Sequence, residues 1–241
     1  MKLLAIVGSI LIAQGAFASG ISISTDSVTG LPEPMQDSDA ATKSYVDRLE
    51  TELCALYELT ASTKPDLCVR YVFISAQGFT GALVSEAAAI GSTGLSGVEA
   101  ADALCQYAAD NAINPLPGSY KAWIAIDNTD DPESRFTREG QPWVLFDHTL
   151  IANDWADLTD GILGMRIEQT EIGSNNTDSV WTNVNIDGAV TGSSHCNGWT
   201  SDQSGDFGTW GHADTHLAGW TEMGETKLCS DQPVHLYCFQ Q

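Results

Sequence analysis

Basic residues are scarce. Ten Lys and Arg stand against 32 Asp and Glu, a formal charge of −22 over 241 residues. So acidic a surface cannot neutralise phosphates, which excludes nucleic acid as a partner and argues against docking on anionic membranes. Beyond the first twenty residues there is no long apolar run either, so no membrane span is expected. No C-x-x-C or C-x-x-x-x-C pair occurs, which removes the usual zinc-binding spacing. No nucleophile elbow, phosphate loop or spaced Ser/His/Asp set stands out, and the chain reads as non-catalytic.

What is present points to export. Hydrophobic residues make up 43% of the chain, enough for a packed core and too many for a disordered one. Residues 1–18 combine Lys2, an apolar run from Leu3 to Ala13 and small Ala16 and Ala18, the layout of a signal peptide cut after Ala18. The run is shorter than the ~20 residues a bilayer requires. The expected location is therefore secreted, extracellular or cell-surface. In an oxidising compartment the six cysteines (Cys54, Cys68, Cys105, Cys196, Cys229 and Cys238) read as a disulfide framework whose pairing their spacing leaves open.

Four segments follow from composition and periodicity. Residues 1–18 are the signal peptide, and residues 19–38 form an extended arm punctuated by Pro32 and Pro34. Residues 39–68 form a helical stalk: Asp39 is a plausible N-cap, and Val46, Leu49, Leu53 and Leu56 follow at spacings of 3, 4 and 3, an a/d seam about two heptads long. Two heptads are marginal alone, so the seam has to be buried against other copies or against the chain's own C-terminal domain. Cys54 and Cys68 flank Pro65; a local disulfide there would contribute about 3 kcal/mol, the other reading being an interchain bond at Cys54.

Residues 69–241 read as one α+β domain. VRYVFIS is a strand, followed by a Gly/Ser/Ala-rich passage to Gly94. Ser96-Gly97-Val98-Glu99 is a capping box opening a helix, with Val98, Ala101, Leu104, Cys105, Ala108 and Ala112 on one face. Pro115, Pro117 and Gly118 close it; YKAWIAI and PWVLF read as strands. From Asp147 the chain is loop-like until PVHLYCF, the last strand.

Two short stretches are candidate sites. Asp127, Asp130, Asp131 and Glu133 cluster in DNTDDPE, as a weak cation site or, more simply, a solvated acidic loop. FGTWGHADTHLAGW places His212 and His216 four apart, which on a helix would offer zinc a shared face. Gly208, Gly211 and Gly219 argue for a loop, and no Glu accompanies the pair as in a zinc peptidase. Trp210, His212, Asp214 and His216 then form a ligand surface with stacking faces and hydrogen-bond donors. Trp123, Trp155, Trp181 and Trp199 are expected in the core.

Two resemblances add to this reading. LPEPMQDSDAATKSYVDRL resembles a short segment of phage tail-fibre and similar trimeric surface proteins, through Asp39, Ala40, Ala41, Thr42, Lys43, Tyr45, Val46 and Asp47. It implies a homotrimer presenting a C-terminal head. GVEAADALCQYAADNAINPLPGSYKAW, WVLFDHTLIANDWADLTDGIL, VWTNVNIDGAVTGSSHCNGWTS and the ending LYCF together resemble the domain of unknown function of the leptospiral endostatin-like outer-membrane proteins. That resemblance spans about residues 71–240. It implies a C-type lectin-like fold with a loop-rich half stapled by disulfides, Cys105 to Cys238 and Cys196 to Cys229. Sugar-binding lectins of that superfamily hold Ca²⁺ with Glu-Pro-Asn or Gln-Pro-Asp and a later Trp-Asn-Asp. Here Gln232-Pro233-Val234 lacks the acid, and the expected strand before Cys229 reads Gly219-Trp220-Thr221-Glu222. No cofactor is therefore expected; a weak Ca or Zn site lacks support. The expected function is adhesion or binding to a glycan or extracellular protein; the alternatives are a structural surface protein and, last, an unrecognised hydrolase.

Overall fold

The structure is a computed structural model that describes Ser22–Ile23, Val28–Thr29, residues 41–60 and residues 65–241. The signal-peptide reading, the arm's two prolines and Asp39 lie outside the described residues. The chain divides into two compact units, Met1–Ala55 and Leu56–Gln241. In the first, β1 (Ser22–Ile23) and β2 (Val28–Thr29) pair antiparallel. Helix α1 (Lys43–Thr60) is 18 residues long. Just ahead of it, Thr42 Oγ1 accepts from the Tyr45 N–H at 3.1 Å, as a capping side chain does. Val46, Leu49, Leu53 and Leu56, the a/d seam, are all exposed, at 39–58%.

The larger unit is α+β. Its elements are β3 (Arg70–Ile74), α2 (Leu83–Ala89), α3 (Gly97–Asp110), β4 (Tyr120–Ala122), α4 (Pro132–Arg135), β5 (Trp143–Val144), β6 (Leu150–Ala152), α5 (Trp155–Leu158), β7 (Ser179–Trp181), β8 (Phe207–His212), β9 (Thr226–Leu228) and β10 (Tyr237–Gln240). Five strands form one sheet in the order β4-β10-β3-β5-β6; β7, β8 and β9 form a second, antiparallel sheet. All five residues of β3 are buried. Successive side chains of a strand point to opposite faces, so Tyr71 and Phe73 pack with Leu83, Leu104 and Cys105, while Val72 and Ile74 pack with Trp123, Trp143 and Trp220. Coverage on both faces explains why the strand, after Arg70, is an unbroken run of apolar and aromatic residues from Tyr71 to Ile74.

Helix α3 shows the capping box: Ser96 Oγ accepts from the Glu99 N–H at 3.3 Å and Glu99 Oε2 from the Ser96 N–H at 2.8 Å. The helix stops at Asp110, ahead of the prolines, where Asn111 Nδ2 donates back to the Tyr107 carbonyl. Two of its polar side chains shield the edge strand β4. Gln106 Oε1 accepts from the Tyr120 N–H at 2.9 Å and Asp102 Oδ1 from the Ala122 N–H at 2.8 Å. These are the amides an exposed edge would offer to another chain.

Cys105 is bonded to Cys238 and Cys196 to Cys229, the pairs that the second resemblance implies. Cys54 and Cys68 are also oxidised, and among the described residues no cysteine is free. The first bond fastens α3 to β10, beside the middle of the large sheet. The second anchors the turn at Cys196–Trp199, where Cys196, Asn197 and Trp199 all have positive φ, to Cys229 just past β9. Trp123, Trp181 and Trp199 are fully buried, while Trp155 is half-buried.

Four expectations are corrected. The Gly/Ser/Ala passage after β3 carries helix α2, whose Leu83 and Ala87, one turn apart, are buried in the core. The region after Asp147 is not merely loop: it contains the whole second sheet. Phe207–His212 is its central strand, despite its glycines. A Cβ on Gly208 would sit 2.7 Å from the Trp181 ring and one on Gly211 2.0 Å from the Trp220 carbonyl oxygen, so both glycines mark close approach and not a turn. Residues 218–220 form a single 3-10 turn rather than a strand, and the strand before Cys229 is β9.

His235 joins the two sheets, its N–H donating to the Ser179 carbonyl and its carbonyl accepting from the Trp181 N–H. Its ring is 3% exposed, and Nδ1 donates to the Ser75 carbonyl at 2.8 Å while Nε2 accepts from Asn176 Nδ2 at 3.1 Å. That is a neutral imidazole, and burial holds it below the ordinary histidine range against the opposing pull of Ser75 and Asp178. The unfolded chain therefore binds the proton more readily, so this contribution is complete above about pH 6.5 and is lost as pH falls through the folded value. Denaturant titrations between pH 7 and 5 should show stability falling by at most about 1.4 kcal/mol per pH unit from this residue, and His235→Gln should flatten that slope.

Candidate functional site

The four residues singled out in the sequence do not form an open stacking site. Trp210 lies in β8, opposite Trp181 of β7. Lys227 Nζ covers its ring at 4.5 Å from the centroid, and its indole Nε1 is buried without a hydrogen bond. The stacking face expected of it is thus already occupied by a cation from β9. His212 closes β8 and pairs through Nδ1 with Asp214 Oδ1 at 2.9 Å. His216 is exposed, and its carbonyl accepts from the Leu163 N–H at 2.8 Å. The histidines lie at a strand end and in the turn beyond it, not on one helical face. Among the described residues no three His, Cys, Asp or Glu are arranged to hold a metal ion.

The acidic cluster DNTDDPE is likewise corrected. Asp131 is 2% exposed; its Oδ1 caps α4 through the Ser134 N–H, and its Oδ2 accepts from the Val190 N–H. Asp130 Oδ1 accepts from the Ile126 and Asp127 N–H groups, and Asp127 Oδ1 from both the N–H and the hydroxyl of Thr129. These carboxylates bind orphan backbone donors of a tight loop. They are structural side chains, only partly a solvated face.

A concavity among the described residues lies elsewhere, built by segments remote in sequence. It has a volume of about 350 Å³, at the small end of the usual ~300–1,000 Å³ range for ligand pockets. Asp66 enters from the 3-10 turn before β3 and Tyr71 from β3 itself. Residues 113–117, the loop that follows α3, form one wall. That loop is fixed by the Leu116 N–H bonding the Ala109 carbonyl, and Ile113 is left 71% exposed. Phe146 comes from the turn after β5, where its N–H donates to Gln169 Oε1 at 2.9 Å.

Glu171 completes the lining from the tight turn at 170–174, which is closed by the Thr170 N–H bonding the Ser174 carbonyl and by the two hydroxyls 2.8 Å apart. The turn is fastened to the end of β3: the Ile74 N–H bonds the Gln169 carbonyl, and Glu171 Oε2 accepts from the Ala76 N–H at 2.8 Å. Burial raises the Glu171 carboxyl above the ordinary glutamate range, and its backbone bonds oppose that shift. Asp66 Oδ1 accepts from the Tyr71 hydroxyl at 2.8 Å and lies 3.4 Å from His148 Nε2, yet the Asp66 side chain is 73% exposed. Glu171 also lines a smaller neighbouring cavity of about 70 Å³ with Ser75, Phe79, Leu104 and Tyr107.

Sequence reasoning missed this cleft. Its one signal is the cluster Pro115, Leu116 and Pro117 beside an exposed Ile113, legible as a helix stop and not as a wall. Among the described residues no helix is long and apolar enough to cross a membrane. No protein-family model matches the chain, and no curated protein matches it.

Proposed function

We propose that this is an exported, non-catalytic binding protein: a C-type lectin-like head, of the kind found in the leptospiral endostatin-like proteins, displayed as a homotrimer on helix α1. The head takes its ligand, a glycan or an extracellular protein, in the cleft between the loop after α3 and the 170–174 turn. The observation that carries this reading is the cleft itself, a concavity of about 350 Å³ on a sheet pinned by the Cys105–Cys238 bond. A rigid scaffold lowers the ordering cost of binding. The exposed seam of Val46, Leu49, Leu53 and Leu56 supports the trimer, because an apolar stripe of that spacing is stable only when covered. Three linked heads would raise avidity without any new contact.

Light scattering of the chain should give three times the monomer mass, and Leu49→Glu with Leu53→Glu should return it to the monomer. A monomeric starting protein would sink the stalk. Glycan and extracellular-protein arrays probed with the oligomer should show binding that Ile113→Arg abolishes by filling the cleft. Binding lost instead on Trp210→Ala or His212→Ala would move the site to β8. Uniform silence would favour a structural surface protein.

A further inference from the structure

The cleft's chemistry is lopsided. Its charged side chains are the two carboxylates, Asp66 and Glu171, and no Lys or Arg lines it. The Tyr71 hydroxyl is committed to Asp66, so Asn114 is the one remaining side chain that donates hydrogen bonds. Apart from Gly173, the rest of the lining is apolar or aromatic: Ile113, Pro115, Leu116, Pro117, Phe146 and the Tyr71 ring. A sugar needs donors and acceptors interleaved around its hydroxyls, and an anion is repelled outright. An acceptor-rich, donor-poor cleft with apolar walls matches a cation carried on an apolar stem.

We propose that the cleft receives a Lys or Arg side chain of a partner polypeptide, its cationic head between Asp66 and Glu171 and an adjacent apolar residue against Ile113 and Leu116. This deepens the binding reading above and rests on it. The aliphatic stem of Lys or Arg lies along apolar surface while its head reaches the carboxylates. Glu171 is the stronger anchor, since it is the more desolvated of the two and a charge pair gains most where water is excluded. Ile113, 71% exposed at the mouth, accounts for the preference for a neighbouring apolar residue and for a peptide over a free amine. A chain of charge −22 also steers basic partners toward itself.

The test is calorimetric and NMR titration of the full chain with the peptide acetyl-Leu-Lys-Leu-amide and with its uncharged Nε-acetyl-lysine counterpart. The lysine peptide should bind, shift the amide signals of Tyr71, Ile113, Asn114 and Glu171, and weaken as NaCl rises from about 50 to about 500 mM. The acetylated peptide should bind at least about tenfold more weakly. Glu171→Gln keeps an acceptor for the Ala76 N–H and Asp66→Asn keeps one for the Tyr71 hydroxyl, so both should leave the melting temperature unchanged. Each should weaken the lysine peptide roughly five- to tenfold. Equal affinity for the two peptides, no binding of the lysine peptide, or binding indifferent to both variants overturns the proposal. Glycan binding that Ile113→Arg removes and the double variant Asp66→Asn/Glu171→Gln retains would overturn the cationic ligand and leave the binding role standing. Silence toward both peptides and every arrayed ligand would take both away.

Discussion

Replacing Cys105 and Cys238 together by alanine is expected to remove about 5 kcal/mol of stability, the loop-closure entropy of a bridge spanning 133 residues. A domain of this size has roughly 5–15 kcal/mol in all, so the change consumes a third or more of it. In thermal terms it lowers the melting temperature by roughly 10–20 °C. The bond is placed where loss is felt globally: Cys105 is on the buried face of α3, and Cys238 is on the strand that pairs with both β3 and β4. Removing Cys196 and Cys229, separated by 33 residues, is expected to cost less, about 3–4 kcal/mol. Denaturant midpoints of the two double variants, measured beside the unchanged chain, check the order. A loss below about 1 kcal/mol for the first pair would mean that packing alone holds α3 to the sheet.

Asp102→Ala is expected to cost about 3–5 kcal/mol, a large effect for one substitution. Asp102 accepts from Arg135 Nη1 at 2.8 and 2.9 Å through its two oxygens, and the side chains are 25% and 13% exposed. Arg135 in turn donates to the carbonyls of Asp130, at 2.7 Å, of Ile124, at 3.1 Å, and of Ala122. One ion pair thus ties α3, the edge strand β4 and the end of α4 together. Removing the carboxylate leaves a guanidinium confined without its counter-charge and the Ala122 N–H without its acceptor. Asp102→Asn, which keeps an acceptor, should lose only part of this. The double change Asp102→Leu/Arg135→Met should be milder than Asp102→Ala, because the larger cost lies in the orphaned charge and not in the absent pair. Urea titrations of Asp102→Leu, Arg135→Met and the double variant give the coupling directly; additive losses would show that the two residues act separately.

Features that depend on neighbours in the chain are legible in the sequence itself. The capping box at Ser96 and Glu99 and the inward placement of Cys105 follow from three- and four-residue spacings, which fix what shares a helix face. The burial of β3 follows from an apolar run too dense for a solvated strand. The burial of Trp123, Trp181 and Trp199 follows from size and apolar surface.

Long-range approach decided the rest. Gly208 and Gly211 look like breakers until Trp181 and the Trp220 carbonyl are found where their side chains would be. Trp210 looks like an open stacking face until Lys227 is found above it, and Asp131 looks solvated until the Val190 N–H arrives. The cleft joins residues 66, 71, 113–117, 146 and 171, none of which shares a local period with another segment. Local spacing determines which side of an element is apolar; which two elements meet, and what opening they leave between them, is set only when the whole chain minimises its exposed surface at once.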